Sequence, residues 1–289
     1  MSLLNVIILA IVQGLAELLP VSSSAHVVVA EKLLGLDPSS PPMTLLLVML
    51  HTGTMFAVIV YFWRQWLNTY FRSGPAFKAF AVRVIFATVL TAVIGELIIK
   101  IIEMTLLRNV PHSEIEDLFS HLEFIAPALA AAGVIILVAG LYEKRNSARS
   151  PAATDDLTLR QAGLIGMVQG LCLPFRGLSR SGATISTGML LGVTKERAEA
   201  FSFALAVVIT PPVVGREVLR LMRSAHENGA ADLGSVALLS MFGAVIAFFA
   251  GLLALKWLSR WLESGRWYLF GIYCLAASAA VIILYRNGY

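Results

Sequence analysis

Two short polar stretches interrupt an apolar chain, and their residue types suit chemistry on a phosphate ester or anhydride. The first, QGLAELLPVSSSAH, offers Gln13, Glu17, Ser22, Ser23, Ser24 and His26. The second, LPFRGLSRSGATIS, offers Arg176, Gly177, Ser179, Arg180, Ser181 and Thr184. On a helix Gln13 and Glu17 are i,i+4 neighbours and share a face. Arginine grips phosphate oxygens bidentately. Backbone N–H groups after Gly177, and those opening a helix after Ser181, add an anion site. His26 can move protons near neutral pH. Glu17 could orient that imidazole, act as a base or hold a metal.

Simpler roles compete with these. Hydroxyls in membrane helices often bond their own backbone or join helices. Glu17 and His26 could form a neutral buried pair, and Arg180 could be a structural counter-ion to Glu17. Arg176 could bind lipid headgroups or cap a helix. His51, in HTGTM near the start of an apolar run, reads as a helix-packing donor ahead of a catalyst. Glu96 and Lys100 are spaced to pair along a helix.

Several phosphate chemistries are excluded. The chain has no G-x-x-x-x-G-K-[ST] loop. A cysteine phosphatase needs an Arg six positions after its Cys, and Leu178 stands there relative to Cys172. The acid-phosphatase type of lipid phosphatase uses an Arg-Pro pair that this chain lacks, and Ser186 stands where its His would fall.

The elements that must position these groups follow from composition. The chain is 58% hydrophobic and 14% charged. Apolar runs recur along its whole length, which predicts an all-α polytopic membrane protein. A barrel would alternate apolar and polar residues, and these runs are continuous. The net charge of +4 resides in short loops, as membrane orientation requires, and implies no nucleic-acid partner. Cys172 and Cys274 both fall in apolar segments, so neither a disulfide nor a zinc framework is expected. No Lys or Arg precedes the first apolar run, so the N-terminus is expected to be structure and not a signal peptide.

Six segments are long enough to span: 43–62, 84–102, 124–142, 198–215, 236–255 and 267–285. The polar stretches lie instead between arms of about a dozen residues, too short to cross. Irregular backbone at membrane depth needs protein or a water-filled cavity around it. Residues 1–34 and 161–192 therefore read as two re-entrant helix hairpins.

The hairpins resemble each other. Val12-Gln13-Gly14-Leu15 recurs as Val168-Gln169-Gly170-Leu171, an offset of 156. Each precedes three spans, which predicts a first repeat over 1–142, a cytoplasmic linker over 143–160 and a second repeat over 161–289. Arg64, Arg72, Lys78 and Arg83 place 64–83 inside, and Lys144, Arg145, Arg149 and Arg160 place 143–160 inside. Lys256, Arg260 and Arg266 place the last short loop inside too. Glu103, Glu114, Glu116, Asp117 and Glu123 against Arg108 place 103–123 outside. Arg216, Arg220 and Arg223 should then lie in an outside loop, against the trend. Three spans per half make the repeats inverted, so the two tips can meet near the midplane.

The motifs also carry a resemblance. QGLAELLPVSSSAH resembles the first motif of the bacterial undecaprenyl-diphosphate phosphatase family, the bacitracin-resistance proteins, and RGLSRSGATIS resembles its second. LHTGTMFAVIVYFWR and RAEAFSFALAVVIT are similar to family segments at corresponding positions, so the likeness runs over nearly the whole chain. It implies hydrolysis of undecaprenyl diphosphate to the monophosphate and inorganic phosphate outside the cytoplasm. That step recycles the lipid carrier of cell-wall synthesis and confers bacitracin resistance.

The resemblance further implies an inner-membrane location, a site open to the periplasm, and a divalent cation, Mg²⁺ or Ca²⁺, with Glu17 as its ligand. A homodimer is compatible with it. Gln13 and Glu17 match the family's Glu/Gln-x-x-x-Glu element, and Ser22, Ser23 and His26 its Ser-rich element. Gly177, Ser179, Arg180, Ser181 and Thr184 match its Pro-Gly-x-Ser-Arg-Ser element. Arg176 replaces the Pro, Ala25 the usual Gly, and Gln13 a Glu.

Glu17, His26, Ser23 and Arg180 are thus the expected catalytic residues. Gln13, Ser22, Arg176, Gly177, Ser179, Ser181 and Thr184 are expected to bind substrate. Two nucleophiles are open: Ser23 activated by His26, or water activated by Glu17 or His26. A transporter or flippase of prenyl phosphate lipids is the alternative, since broken helices in inverted repeats also build transporters.

Overall fold

The computed structural model describes residues 2–37, 40–105, 121–146, 157–228 and 233–288. Among them are ten helices and no strand: α1 (Leu3–Leu18), α2 (Ser23–Leu33), α3 (Pro41–Thr69), α4 (Gly74–Thr105), α5 (Leu122–Asn146), α6 (Leu159–Cys172), α7 (Arg180–Leu190), α8 (Lys195–Asn228), α9 (Leu233–Glu263) and α10 (Tyr268–Arg286). Six of these, α3, α4, α5, α8, α9 and α10, are long and apolar enough to cross a membrane.

The other four hold 16, 11, 14 and 11 residues. At a 1.5 Å rise per residue they reach roughly 17–24 Å, short of the ~30 Å of a hydrocarbon core. Their breaks have local causes. Leu19 is extended (φ −73°, ψ 150°), as the ring of Pro20 requires of the residue before it, and this ends α1. Ser22 takes φ +68° to turn the chain into α2, the one positive φ outside glycine among the described residues. Thr158 opens α6 with a capping box to Gln161. Ser179 opens α7 by accepting the Gly182 N–H at 3.2 Å.

The broken helices are held inside the bundle. α1 packs on α9 and α3, α6 on α4, and α7 between α5, α6 and α8. The Trp267 indole N–H donates to Ser186 Oγ at 2.9 Å, and that of Trp66 to the Ala200 carbonyl at 3.3 Å. Phe62, Phe201, Phe203 and Trp267 fill the main core. Outward faces of α4, α9 and α10 expose Val89, Val93, Leu238, Phe249 and Ile283, which suits contact with lipid tails.

The helices outrun the expected spans. The 64–83 segment, read as a cytoplasmic loop, is mostly helix: Arg64 lies on α3 and Lys78 and Arg83 on α4, leaving only a short turn with Arg72. The 216–228 segment, read as an outside loop, continues α8 through Pro211 and Pro212. Backbone bonds keep a helix intact into the headgroup layers, where charged side chains are solvated, so the end of an apolar run does not end the helix. Residues 106–120 and 147–156, which carry Arg108, Glu114, Glu116, Asp117 and Arg149 of the charges used to assign the 103–123 and 143–160 loops, lie outside the described residues.

Candidate active site

The last turns of α1 aim Gln13 and Glu17 into the bundle. Gln13 Nε2 donates to Glu17 Oε2 at 3.2 Å. The hydroxyl of Ser23, on the first turn of α2, donates to the same oxygen at 2.5 Å. From the other hairpin, Arg180 opens α7 and places Nη2 2.7 Å from Glu17 Oε1. The tips 13–26 and 176–184 therefore converge on one carboxylate.

That carboxylate faces an open cleft lined by Glu17, His51, Thr54, Arg180 and Thr210, with Met55, Val58 and Val207 as its apolar wall. The lining comes from α1, α3, α7 and α8, so both halves of the chain build it.

Around this centre the smaller residues join the tips. Ser181 Oγ donates to the Leu19 carbonyl at 3.3 Å, and the Gly177 N–H to Ser24 Oγ at 3.4 Å. Ser24 Oγ lies 3.2 Å from Ser22 Oγ. Thr184 Oγ1 donates to the Arg180 carbonyl at 2.7 Å and lies 2.6 Å from Ser202 Oγ. Gly177 has φ +107°, and a Cβ there would sit 2.6 Å from the Ile125 carbonyl oxygen, so only glycine fits the tip. Ser179, Ser181 and Thr184 thus have local structural bonds; Arg180 alone of the second tip reaches Glu17.

The expected pairing of His26 with Ser23 or Glu17 is not present. His26 lies four residues after Ser22, and its Nδ1 bonds that carbonyl at 2.7 Å. Its Nε2 meets Tyr273 Oη at 2.7 Å, so both ring nitrogens are engaged away from the carboxylate. Arg176 lies near a different carboxyl. Its charge acts on Glu31, a buried α2 carboxyl, while the guanidinium that meets Glu17 is that of Arg180.

His51 makes the packing bond expected of it and also reaches the site. Nδ1 bonds the Leu47 carbonyl at 2.9 Å, the packing role expected, while Nε2 faces Glu17 Oε2 at 3.7 Å. Gly53 brings α3 against α9: a Cβ there would lie 2.2 Å from the Ala244 carbonyl oxygen. The signal was a polar His-Thr-Gly-Thr run inside an apolar span.

A resident divalent cation does not fit this donor set. A protein cage for Ca²⁺ needs six to eight oxygens, and Mg²⁺ is held through one or two carboxylates only when substrate phosphates complete its shell. Here Glu17 is the one carboxylate lining the cleft, and its two oxygens already bond Arg180, Ser23 and Gln13. No cluster of three His, Cys, Asp or Glu suited to a metal occurs among the described residues.

Residues 6–280 match the family model described as bacitracin resistance protein BacA. The chain belongs to the BacA family. Among relatives of this family, undecaprenyl-diphosphatase 2 of Acinetobacter baylyi is 56% identical over 287 residues, 98% of each chain. Undecaprenyl-diphosphatase of Rhodopirellula baltica is 32% identical over 284 residues, again 98% of each. That of an Anaeromyxobacter species is 33% identical over 288 residues, all of this chain and 90% of the relative. The BacA match covers both tips and runs into the last of the six candidate spans, so Glu17, Ser23 and Arg180 lie within the matched residues.

Proposed function

We propose that this multi-pass membrane protein hydrolyses undecaprenyl diphosphate to undecaprenyl phosphate and inorganic phosphate, returning the lipid carrier to peptidoglycan synthesis. The observation that carries the reading is the Glu17–Arg180 contact across the two tips, in a chain whose relatives are named for this activity. A base and a guanidinium beside a hydroxyl, in a cleft with an apolar wall, are the parts phosphoryl transfer needs: positioning and charge stabilisation.

Arg180 exchanges Glu17 for the phosphate oxygens and offsets charge on the transferring phosphoryl group. Ser23 Oγ attacks the terminal phosphorus, and its proton passes to Glu17, the carboxylate it already touches. The bond to the bridging oxygen breaks and the lipid monophosphate leaves. Gln13 keeps Glu17 aimed. A Mg²⁺ or Ca²⁺ ion would come with the diphosphate as part of the substrate and would offset charge on its oxygens. The prenyl tail lies along the lipid-facing helices, its burial worth about 0.8 kcal/mol per CH₂.

In this reading α1–α2 and α6–α7 are re-entrant hairpins of inverted repeats in the bacterial inner membrane, with the cleft open to the periplasm. Counterpart packing supports the repeats: α1 lies on α9 as α6 lies on α4, while α3 meets α8 and α5 meets α10. Phosphate release from undecaprenyl diphosphate by purified protein in detergent tests the function. Wild type should release phosphate and Glu17→Ala should not; equal release by both would remove Glu17 from the chemistry. With no membrane to cross, transport cannot mimic the result.

A further inference from the structure

Phosphoryl transfer to Ser23 leaves a second step, cleavage of the phosphoserine by water, and the residues used so far supply no free base for it. Glu17 holds the serine proton after the first step. His26 is engaged at Nδ1 by the Ser22 carbonyl and at Nε2 by Tyr273 Oη.

His51 is placed differently. Its ring shares the cleft with Glu17 and Arg180, and its side chain is 44% exposed against 14% and 26% for theirs. Because the Leu47 carbonyl can only accept, Nδ1 carries the hydrogen in the neutral ring. That tautomer leaves Nε2 as an acceptor directed at the cleft, 3.7 Å from Glu17 Oε2, too long for a direct hydrogen bond and open on its cleft side to water. The hydroxyls nearby do not compete: Thr54 Oγ1 donates to the His51 carbonyl at 2.9 Å and Thr210 Oγ1 to the Ala206 carbonyl at 2.7 Å. Ser23 and His51 approach the same carboxylate oxygen, so a phosphoryl group on Ser23 lies beside Nε2.

We infer that His51 is a catalytic residue of the second step, the base that activates water to hydrolyse phosphoserine 23. This rests on the diphosphatase reading above. Water attacks phosphorus and gives one proton to His51 Nε2. The P–Oγ bond breaks, and Ser23 Oγ recovers its proton from Glu17. Inorganic phosphate keeps the other water proton, and His51 returns its own to solvent as phosphate leaves.

The test is rapid-quench kinetics of full-length protein in detergent with undecaprenyl diphosphate labelled on the terminal phosphorus. His51→Ala should release one equivalent of undecaprenyl phosphate in a burst, retain label on Ser23, and turn over at least about 100-fold more slowly, a typical scale for a general base. Added imidazole should restore turnover in His51→Ala, and His51→Gln, which keeps a hydrogen-bonding side chain but takes no proton, should behave like His51→Ala. Turnover within about threefold of wild type in His51→Ala, with Glu17→Ala and Arg180→Ala inactive, would overturn the inference and leave the diphosphatase site standing. A slow His51→Ala without burst or label would overturn it too, as would full recovery in His51→Gln. Normal turnover in Glu17→Ala and Arg180→Ala would sink the site reading itself.

Discussion

The two hairpins begin from the same four residues and end in different chemistry. After Val12-Gln13-Gly14-Leu15 the first delivers Glu17 to the cleft, with Gln13 bonded to it. After Val168-Gln169-Gly170-Leu171 the second puts Leu173 at the position equivalent to Glu17, and Gln169 donates to Thr91 Oγ1 at 3.2 Å inside the bundle. The first tip carries the carboxylate and the hydroxyl, and the second carries the guanidinium. The residues that follow the shared motif divide the charges between the two tips. Opposite charges on opposite tips pair across the site, Arg180 Nη2 with Glu17 Oε1 at 2.7 Å.

The contrast can be tested from its strongest point downward. Arg180→Ala should lower kcat/KM by at least ~100-fold, and Arg180→Lys should restore little of it, because an ammonium lacks the bidentate fork. Ser23→Ala should lose more than about 10-fold and abolish labelling of the protein by the terminal phosphate. A full rate in that variant would eliminate Ser23 as the nucleophile.

Gln13→Leu should cost about fivefold in kcat/KM, the scale of one net hydrogen bond of ~1 kcal/mol. Gln169→Leu should leave kcat/KM within twofold and appear instead as a change in thermal unfolding, since its partner is structural. Equal kinetic effects of the two would erase the asymmetry. Smallest of all, Lys100→Ala should shift stability by less than about 0.5 kcal/mol, because the Glu96–Lys100 pair is exposed, at 62% and 61%.

Much of this was legible in the chain. Continuous apolar runs located six spans, and i,i+4 spacing put Gln13 and Glu17 on one face. Two arginines between apolar arms marked the second tip. Helix ends were less legible, since Arg64, Lys78 and Arg216 are polar residues that a helix can carry into the headgroup layers. The imidazoles were harder still. His26 follows its motif, but Tyr273, 247 residues away, takes its Nε2. His51 stands alone in an apolar helix, and only the packing of α1 against α3 gives it a carboxylate. The hydroxyls of Ser179, Ser181 and Thr184 are ligand types, and in the fold they bond the Gly182 N–H, the Leu19 carbonyl and the Arg180 carbonyl.

The claim that the two tips act on one diphosphate is tested most directly by a double-mutant cycle on kcat/KM with undecaprenyl diphosphate. Residues working as a unit are non-additive. Glu17→Ala/Arg180→Ala should therefore be within about threefold of the worse single variant. Multiplication of the two single losses in the double variant would mean that the tips act independently, contrary to the site described.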